Sequence, residues 1–179
     1  MGDFPQFQHR KAKLSDISSL LRLINGFAAR GIMLPRTELE MAENIRDFTL
    51  IASPDSIVGC GALHIYTPQA AEVRSLAVDP AFQKHGIGAR IMHALESEAR
   101  EFDIHAIFAF TYVPGFFRKM GYREVDRGEL PLKAWKDCLK CPKFQACDEI
   151  AMLKALHPSF ALGRDATVSE LVPFPVLKH

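Results

Sequence analysis

The sequence predicts a single α/β (α+β) domain, in which a mixed but mostly antiparallel sheet is flanked by helices. Three strand-like runs follow one another closely, separated by turn residues: 48–52, 57–66 and 72–78. A glycine-containing loop then precedes an amphipathic helix over 87–101 and a short buried strand over 106–111. The first observation predicts an antiparallel meander. The second predicts a right-handed crossover, which makes the strands on either side of the helix parallel.

Helical signals precede the meander. Ser15 and Asp16 are suitable N-caps, and apolar side chains recur after them at helical spacing. Pro35 ends this pattern, because a proline disfavours helix at the residue before it, and a second short helix is expected over 38–45. The other expected elements are a strand, a short helix stopped by a glycine, and two further strands: 9–13, 116–120, 122–125 and 150–156.

Length and composition fit one soluble domain. The chain has 179 residues, enough to bury a core, and 48% hydrophobic against 24% charged residues is typical of soluble globular proteins. We expect the domain to occupy 1–156, with a cysteine- and lysine-rich insertion over 133–149 before the last strand. The proline-containing tail, 157–179, is expected to run along the surface or to be mobile.

Charge and hydropathy exclude several classes of partner. The net charge is +1 and no lysine- or arginine-rich run stands out, so neither nucleic acid nor an anionic membrane is an expected partner. No apolar stretch approaches the roughly 20 residues of a membrane span, and the polar N-terminus lacks the apolar core of a signal peptide. We expect a cytoplasmic protein with a small-molecule partner. The apolar last strand of the protein permits a homodimer.

Three cysteines lie close together in the predicted insertion, at Cys138, Cys141 and Cys147. The first two have metal-ligand spacing, and a nearby acidic residue could complete a structural zinc site. Reduced thiols or one labile disulfide together outweigh that interpretation in a chain with so few cysteines. We therefore predict no metal. Cys60 lies in an apolar run and is expected in the core.

The loop Gln83-Lys84-His85-Gly86-Ile87-Gly88 is the most informative short motif. Its glycines permit positive φ and a close approach of the backbone to a ligand, and the first N–H groups of the following helix would face a pyrophosphate. A Rossmann fingerprint is excluded because its third glycine is replaced by Ile91, and a P-loop because Gly-Lys-Ser/Thr is missing. The alternative without a ligand is a glycine-softened turn between strand and helix.

In its wider context the loop resembles that of the GCN5-related N-acetyltransferase (GNAT) superfamily. A strand ending in Leu-Ala-Val-Asp-Pro precedes Gln-x-x-Gly-x-Gly, and the resemblance spans about residues 8–126. It implies the GNAT fold, a splayed mixed sheet that holds acetyl-CoA between the strands 72–78 and 106–111. The implied cofactor-binding residues are Leu76, Ala77, Val78, Gln83, Lys84, His85, Gly86, Ile87, Gly88, Ala89 and Phe116.

Within the superfamily, the chain is most similar to the acetyltransferase domain of N-acetylglutamate synthases, in a short form without a kinase domain. The supporting stretches are GIMLPR at 31–36, IVGCGAL at 57–63, AEVRSLAV at 71–78 and FFRKMGY at 116–122. The resemblance implies acetyl transfer to the α-amine of an amino acid, with L-glutamate and arginine biosynthesis as the leading assignment. Another amino acid, a small amine, a protein N-terminus, or a non-catalytic acyl-CoA-binding role are the alternatives.

The same resemblance suggests catalytic residues. Glu72 matches a recurring glutamate and is the expected base, acting directly or through water, with His64 and Tyr66 as alternatives in a proton path. Many family members carry a tyrosine as general acid where this chain has Phe117. Tyr112 is near enough in sequence to replace it.

One arginine suited to an acceptor carboxylate precedes the predicted meander, and another lies in its last strand. Arg36 and Arg74 are the expected carboxylate clamps, and Ser75 is a further substrate-binding candidate. Because side chains alternate along a strand, at most one of Arg74 and Ser75 should face the substrate. The synthases usually end in an Arg-x-Ser-Lys-Val-Leu-like strand, whereas this chain has CDEIAM at 147–152, and the acidic pair disfavours glutamate.

Overall fold

The computed structural model describes residues 7–53, 56–130, 143, 146–158 and 160. Seven strands form one sheet in the order β1-β2-β3-β4-β5-β7-β6. The strands are β1 (Gln8–Lys11), β2 (Phe48–Ala52), β3 (Ile57–Thr67), β4 (Ala70–Val78), β5 (Ala106–Thr111), β6 (Arg123–Glu124) and β7 (Ile150–Ala155). The helices of the described chain are α1 (Ile17–Ala28), α2 (Glu38–Glu43), α3 (Ile87–Glu101) and α4 (Pro114–Lys119).

Both topological predictions are confirmed. Strands β1 to β4 pair antiparallel in chain order, and β4 pairs in parallel with β5 across the α3 crossover. On the far side of the sheet, β7 pairs antiparallel with β5, and β6 pairs antiparallel with β7. None of the described helices has the length and apolar character that a membrane-spanning segment needs.

The two parallel strands separate part-way along their length. Within the described strands they pair at three positions, the last of which joins Glu72 to Phe108, although β4 continues to Val78 and β5 to Thr111. Beyond Glu72 the sheet is therefore split by a gap between β4 and β5. This is the splayed sheet that the family resemblance implies.

A β-bulge in β4 lies beside the gap. Cys60 pairs with Ala77 and Ala62 pairs with Arg74, so β4 holds one residue more than β3 over this stretch. The extra residue is accommodated at Ser75, whose backbone φ is 50°, a value that residues other than glycine rarely adopt. The bulge interrupts the regular alternation of side chains in β4.

Helices cover both faces of the sheet. Helix α3 packs on one face through Ile87, Ile91, Met92, Leu95 and Ala99, which join the largest core cluster. Helix α1 covers the other face of β2 to β4, with Met41 of α2 in the same cluster. The face covered by α1 and α2 is also the face that carries Glu72, His64 and Arg74.

Several predicted boundaries shift by a few residues. Helix α2 ends at Glu43 rather than 45, because the chain tightens into a 3₁₀ turn over Ile45–Asp47. Helix α4 begins at Pro114, where the fixed φ of proline suits a first helical turn. Cys138 and Cys141, most of the predicted insertion 133–149 and nearly all of the tail 157–179 lie outside the described residues.

Candidate active site

The gap between β4 and β5 exposes backbone donors. Asp79 N–H donates to Val58 O on β3 at 2.9 Å. Because successive N–H groups of a strand point in opposite directions, those of Val78 and Leu76 face away from β3 and into the gap. These are the two backbone positions that the family resemblance assigns to the cofactor arm and the thioester.

The predicted phosphate loop ends at the N-terminus of α3, beside the gap. Gly86 is the N-cap residue with a φ of 75°, and Lys84 has a φ of 66°. Arg90 N–H donates to Gly86 O at 3.0 Å, the first hydrogen bond along the helix, so the N–H groups of Ile87 to Ala89 have no carbonyl acceptor within α3. Donors of this kind at a helix N-terminus bind phosphate groups.

Phe116 lies directly against this loop. A Cβ placed on Gly88 would be 3.4 Å from Cζ of the Phe116 ring, which is van der Waals contact. Helix α4 thereby forms one wall of the site and α3 the other. The side chain of Gln83 donates to Val78 O at 3.1 Å and ties the loop to the end of β4. The predicted cofactor residues thus converge on one region.

Glu72 occupies the point at which the two strands separate. It is 8% exposed, and its Oε2 accepts hydrogen bonds from Tyr66 Oη at 2.8 Å and from Arg74 Nε at 2.7 Å. The Tyr66 ring stacks on Phe108 at 5.8 Å between centroids, which fixes the position of the donor. Two donors on one oxygen hold the carboxylate in a single orientation at the base of the gap.

An open cleft lies next to Glu72, on the face that carries α1 and α2. Its lining residues are Arg36, Glu40, Met41, Asn44, Asp47, Phe48, Ala62, His64, Arg74 and Ser75. The cleft thus contains all three predicted substrate-binding residues, together with carboxylates and an amide. Its acidic and basic side chains suit a small molecule that carries both an ammonium and a carboxylate group.

Side-chain alternation would place Arg74 and Ser75 on opposite faces of β4, but the structure brings both to one cleft. Both residues line it, because the bulge and the positive φ of Ser75 break the alternation along β4. Arg74 also has a second role, since its Nε binds Glu72 and its guanidinium lies 5.1 Å from the centre of the Tyr66 ring. Arg74 therefore orients the expected base.

Sequence inspection missed two polar residues that shape the cleft. Asn25 holds the backbone of Arg36 in place: its Nδ2 donates to Arg36 O at 3.0 Å, and its Oδ1 accepts from Arg36 N–H at 2.9 Å. The sequence offered one sign of this role, because Asn25 is a polar residue among the apolar positions of α1. Asp47 binds Nδ1 of His64 at 2.8 Å, and only the tertiary structure reveals this pair.

Tyr112 lies beyond the end of β5 and is not among the described residues that line the cleft. Lys143 Nζ donates to Tyr112 Oη at 3.2 Å and lies 3.4 Å from Asp148 Oδ1. Loss of hydration on partial burial is the main cause that raises the pKa of Tyr112, so the hydroxyl keeps its proton at neutral pH. Among the described residues, no group of three or more His, Cys, Asp or Glu side chains could hold a metal ion.

Comparison with known protein families identifies this arrangement. The Acetyltransferase (GNAT) family matches residues 24–122, which include β4, β5, the phosphate loop and Phe116. The chain belongs to the GNAT family of acetyltransferases. It is therefore an N-acetyltransferase, and the donor that its split sheet and helix N-terminus accommodate is acetyl-CoA.

Three similar proteins are informative about this GNAT chain. It is 42% identical to an uncharacterized N-acetyltransferase of Chlorobaculum tepidum, over 82% of this chain and 95% of the relative. It is 33% identical to an amino-acid acetyltransferase of Mycobacterium tuberculosis, over 65% of this chain and 68% of the relative. The structure of Neisseria gonorrhoeae N-acetylglutamate synthase with coenzyme A and N-acetyl-glutamate matches with a TM-score of 0.78 and 25% identity, over 87% of this chain and 36% of the synthase.

Proposed function

We propose that this GNAT enzyme transfers the acetyl group of acetyl-CoA to the α-amine of an amino acid, with L-glutamate as the leading acceptor and arginine biosynthesis as its setting. The observation that carries the proposal is the position of Glu72. A buried carboxylate, oriented by Tyr66 and Arg74, lies where the cofactor gap meets a cleft bearing Arg36. The amino-acid acetyltransferase and the N-acetylglutamate synthase among its relatives support the same acceptor class.

Each step of the reaction has a residue of this chain to serve it. Acetyl-CoA supplies an acetyl group activated as a thioester. Glu72 accepts a proton from the ammonium of the amino acid, directly or through water, and leaves a nitrogen lone pair for attack on the carbonyl carbon. The N–H groups of Leu76 and Val78 donate to the carbonyl oxygen as it gains negative charge. Tyr112 is the proposed proton donor to the sulfur as the carbon–sulfur bond breaks.

The charge of the cleft favours a second candidate acceptor. Glu40 and Asp47 line the cleft together with Arg36, so a side-chain carboxylate would lie near groups of its own charge. Arg74, the other arginine, already binds the carboxylate of Glu72. An amino acid with an uncharged polar side chain would need only one arginine, for its α-carboxylate.

A direct assay tests the proposal. The purified protein is incubated with acetyl-CoA and each of the twenty amino acids, and CoA release and the acetylated product are followed together by mass spectrometry. We expect turnover with one or a few amino acids. Tight binding of acetyl-CoA without turnover on any amino acid, small amine or peptide N-terminus would instead show a non-catalytic acyl-CoA-binding protein.

Substitutions of single arginine residues then test the acceptor site. Loss of a charge-assisted contact to a carboxylate costs about 1.5–3 kcal/mol, so Arg36→Ala should raise the KM of the acceptor roughly 10- to 100-fold and leave the KM of acetyl-CoA unchanged. The matched control is Arg22→Ala, on the exposed side of α1, where the guanidinium contacts Ser19. An equal effect of both substitutions would contradict the assignment of Arg36.

A further inference from the structure

An ion pair lies on the α3 side of the sheet, away from the acceptor cleft. Lys154 on β7 donates from Nζ to both carboxylate oxygens of Glu96, at 2.9 and 2.8 Å. The Glu96 side chain, on α3, is 3% exposed, whereas that of Lys154 is 23% exposed. Burial of a charged pair costs hydration free energy, so its presence calls for an explanation beyond stability.

The same ammonium group makes a third contact. Lys154 Nζ donates to Met120 O at 2.8 Å, and Met120 is the C-cap residue that follows α4. Gly121 follows with a φ of 84°, and a Cβ placed there would be 3.6 Å from Lys154 Cε. The turn after α4 thus packs against the lysine side chain. Through Lys154 Nζ, strand β7 contacts both α3 and the end of α4.

Two of these elements are the walls of the cofactor site. Helix α3 presents its N-terminal N–H groups to the phosphates, and α4 carries Phe116 against Gly88 at the same end of α3. The relative position of the two helices sets how Phe116 lies against the phosphate-binding loop. Lys154 joins the Glu96 side chain of α3 to the carbonyl of Met120, the C-cap residue of α4, and its own strand is paired along the whole of β5.

We propose that Lys154 is a positioning residue for acetyl-CoA, which holds α3 and α4 at the separation that the cofactor requires. The proposal rests on the acetyl-CoA site and is independent of the identity of the acceptor. Glu96 fixes the ammonium against α3, and the Met120 carbonyl transmits that position to α4. Without the lysine, the wall that bears Phe116 is expected to move relative to the phosphate-binding loop.

The test measures cofactor affinity in three variants of the full chain. Lys154→Met removes the ammonium and leaves the buried Glu96 carboxylate with Arg100, whose Nη2 lies 3.7 Å from Glu96 Oε2. Glu96→Leu/Lys154→Met replaces the pair by apolar side chains, a change that often leaves stability unaltered or improves it. Lys11→Met is the matched control, because Lys11 Nζ binds Glu98 of the same helix at 2.7 Å in an exposed pair that does not involve α4.

The dissociation constant of CoA is measured by titration calorimetry, and thermal unfolding is recorded for each variant. We expect CoA to bind roughly 10-fold more weakly to the double variant at unchanged unfolding temperature. A small displacement of groups that position a ligand is enough for an effect of that size. With any acceptor that turns over, the KM of acetyl-CoA should rise while kcat and the acceptor KM stay constant.

Wild-type CoA affinity in a stably folded double variant would overturn the proposal, as would an equal loss of affinity in Lys11→Met. Neither outcome depends on an acceptor, because CoA binding is measured alone. Failure of the proposed amino-acid acetylation would therefore be recognised separately, as binding of CoA without turnover.

Discussion

Two glycines on β3 set the distance at which α3 lies on the sheet, and substituting them tests how tightly the cofactor helix is placed. A Cβ on Gly59 would lie 2.9 Å from Ile91 Cδ1 and 3.2 Å from the carbonyl oxygen of Ala77. A Cβ on Gly61 would lie 2.8 Å from Ile91 Cγ2. Both substitutions therefore require the Ile91 side chain on α3 to shift, and a Cβ on Gly59 would also lie 3.0 Å from Ile87 Cγ2.

The expected magnitudes follow from these contacts. Overpacking of a core costs about 1–3 kcal/mol, and an alanine recovers roughly 0.5–1 kcal/mol of the conformational entropy that a glycine in a strand loses. Gly59→Ala and Gly61→Ala should each destabilise the protein by about 1–2 kcal/mol net. At roughly 2–4 °C per kcal/mol for a chain of this size, the unfolding temperature should fall by about 2–8 °C.

A second substitution distinguishes the two sites. Ile91→Val removes the Cδ1 atom that Gly59→Ala would strike, but it keeps a methyl group in the place of Cγ2, which Gly61→Ala would strike. In double-mutant cycles by thermal and denaturant unfolding, Ile91→Val should therefore offset part of the cost at Gly59, where the Ile87 Cγ2 contact at 3.0 Å remains, and act additively with Gly61→Ala. Equal coupling at both glycines, or additivity at Gly59, would refute this placement of α3.

Three further outcomes are expected. Glu72→Gln should lower kcat by about 10²- to 10⁴-fold at an unchanged acetyl-CoA KM in steady-state kinetics, because the amide cannot accept the amine proton; wild-type turnover would exclude Glu72 as the base. The hydrogen-bonded Arg10 lowers the pKa of Asp16, so the unfolding temperature of Asp16→Asn should lie furthest below wild type near neutral pH and converge as pH falls through that lowered pKa; a gap that is constant with pH would contradict this. Burial raises the pKa of Cys60 to about 12, so iodoacetamide at pH 8 should label half-buried Cys147 but reach Cys60 only after unfolding, as read from peptide masses; rapid native labelling of Cys60 would refute its burial.

Much of the fold was predictable because its local signals are strong. Turn residues and apolar runs predicted β2, β3 and β4 as a meander, and the helical period over 87–101 predicted α3 to the residue. The strand before α3 and the strand after it are parallel, as the crossover rule requires. Boundaries were less certain wherever one helical type passes into another, as at the end of α2.

The geometry of the site was less accessible, because it depends on contacts between distant residues. The alternation rule misplaced Ser75 relative to Arg74, since a bulge is set by the pairing of β4 with β3 and not by the sequence of β4 alone. The Asp47–His64 pair and the support that Asn25 gives to Arg36 also join elements that the sequence does not place side by side. The family resemblance pointed to Glu72 but not to its two hydrogen-bond donors.

The bulge and the gap have a common consequence for catalysis. Because β4 loses its parallel partner after Glu72 and gains an extra residue at Ser75, the same short segment presents a carboxylate, two backbone N–H groups and the wall of a cleft. A regular strand could not do so, since its N–H groups would bond to β5 and its side chains would alternate between faces. In the proposed reaction, these two local departures from regular β-structure bring the acceptor amine close to the thioester, and such proximity supplies several kcal/mol of rate acceleration.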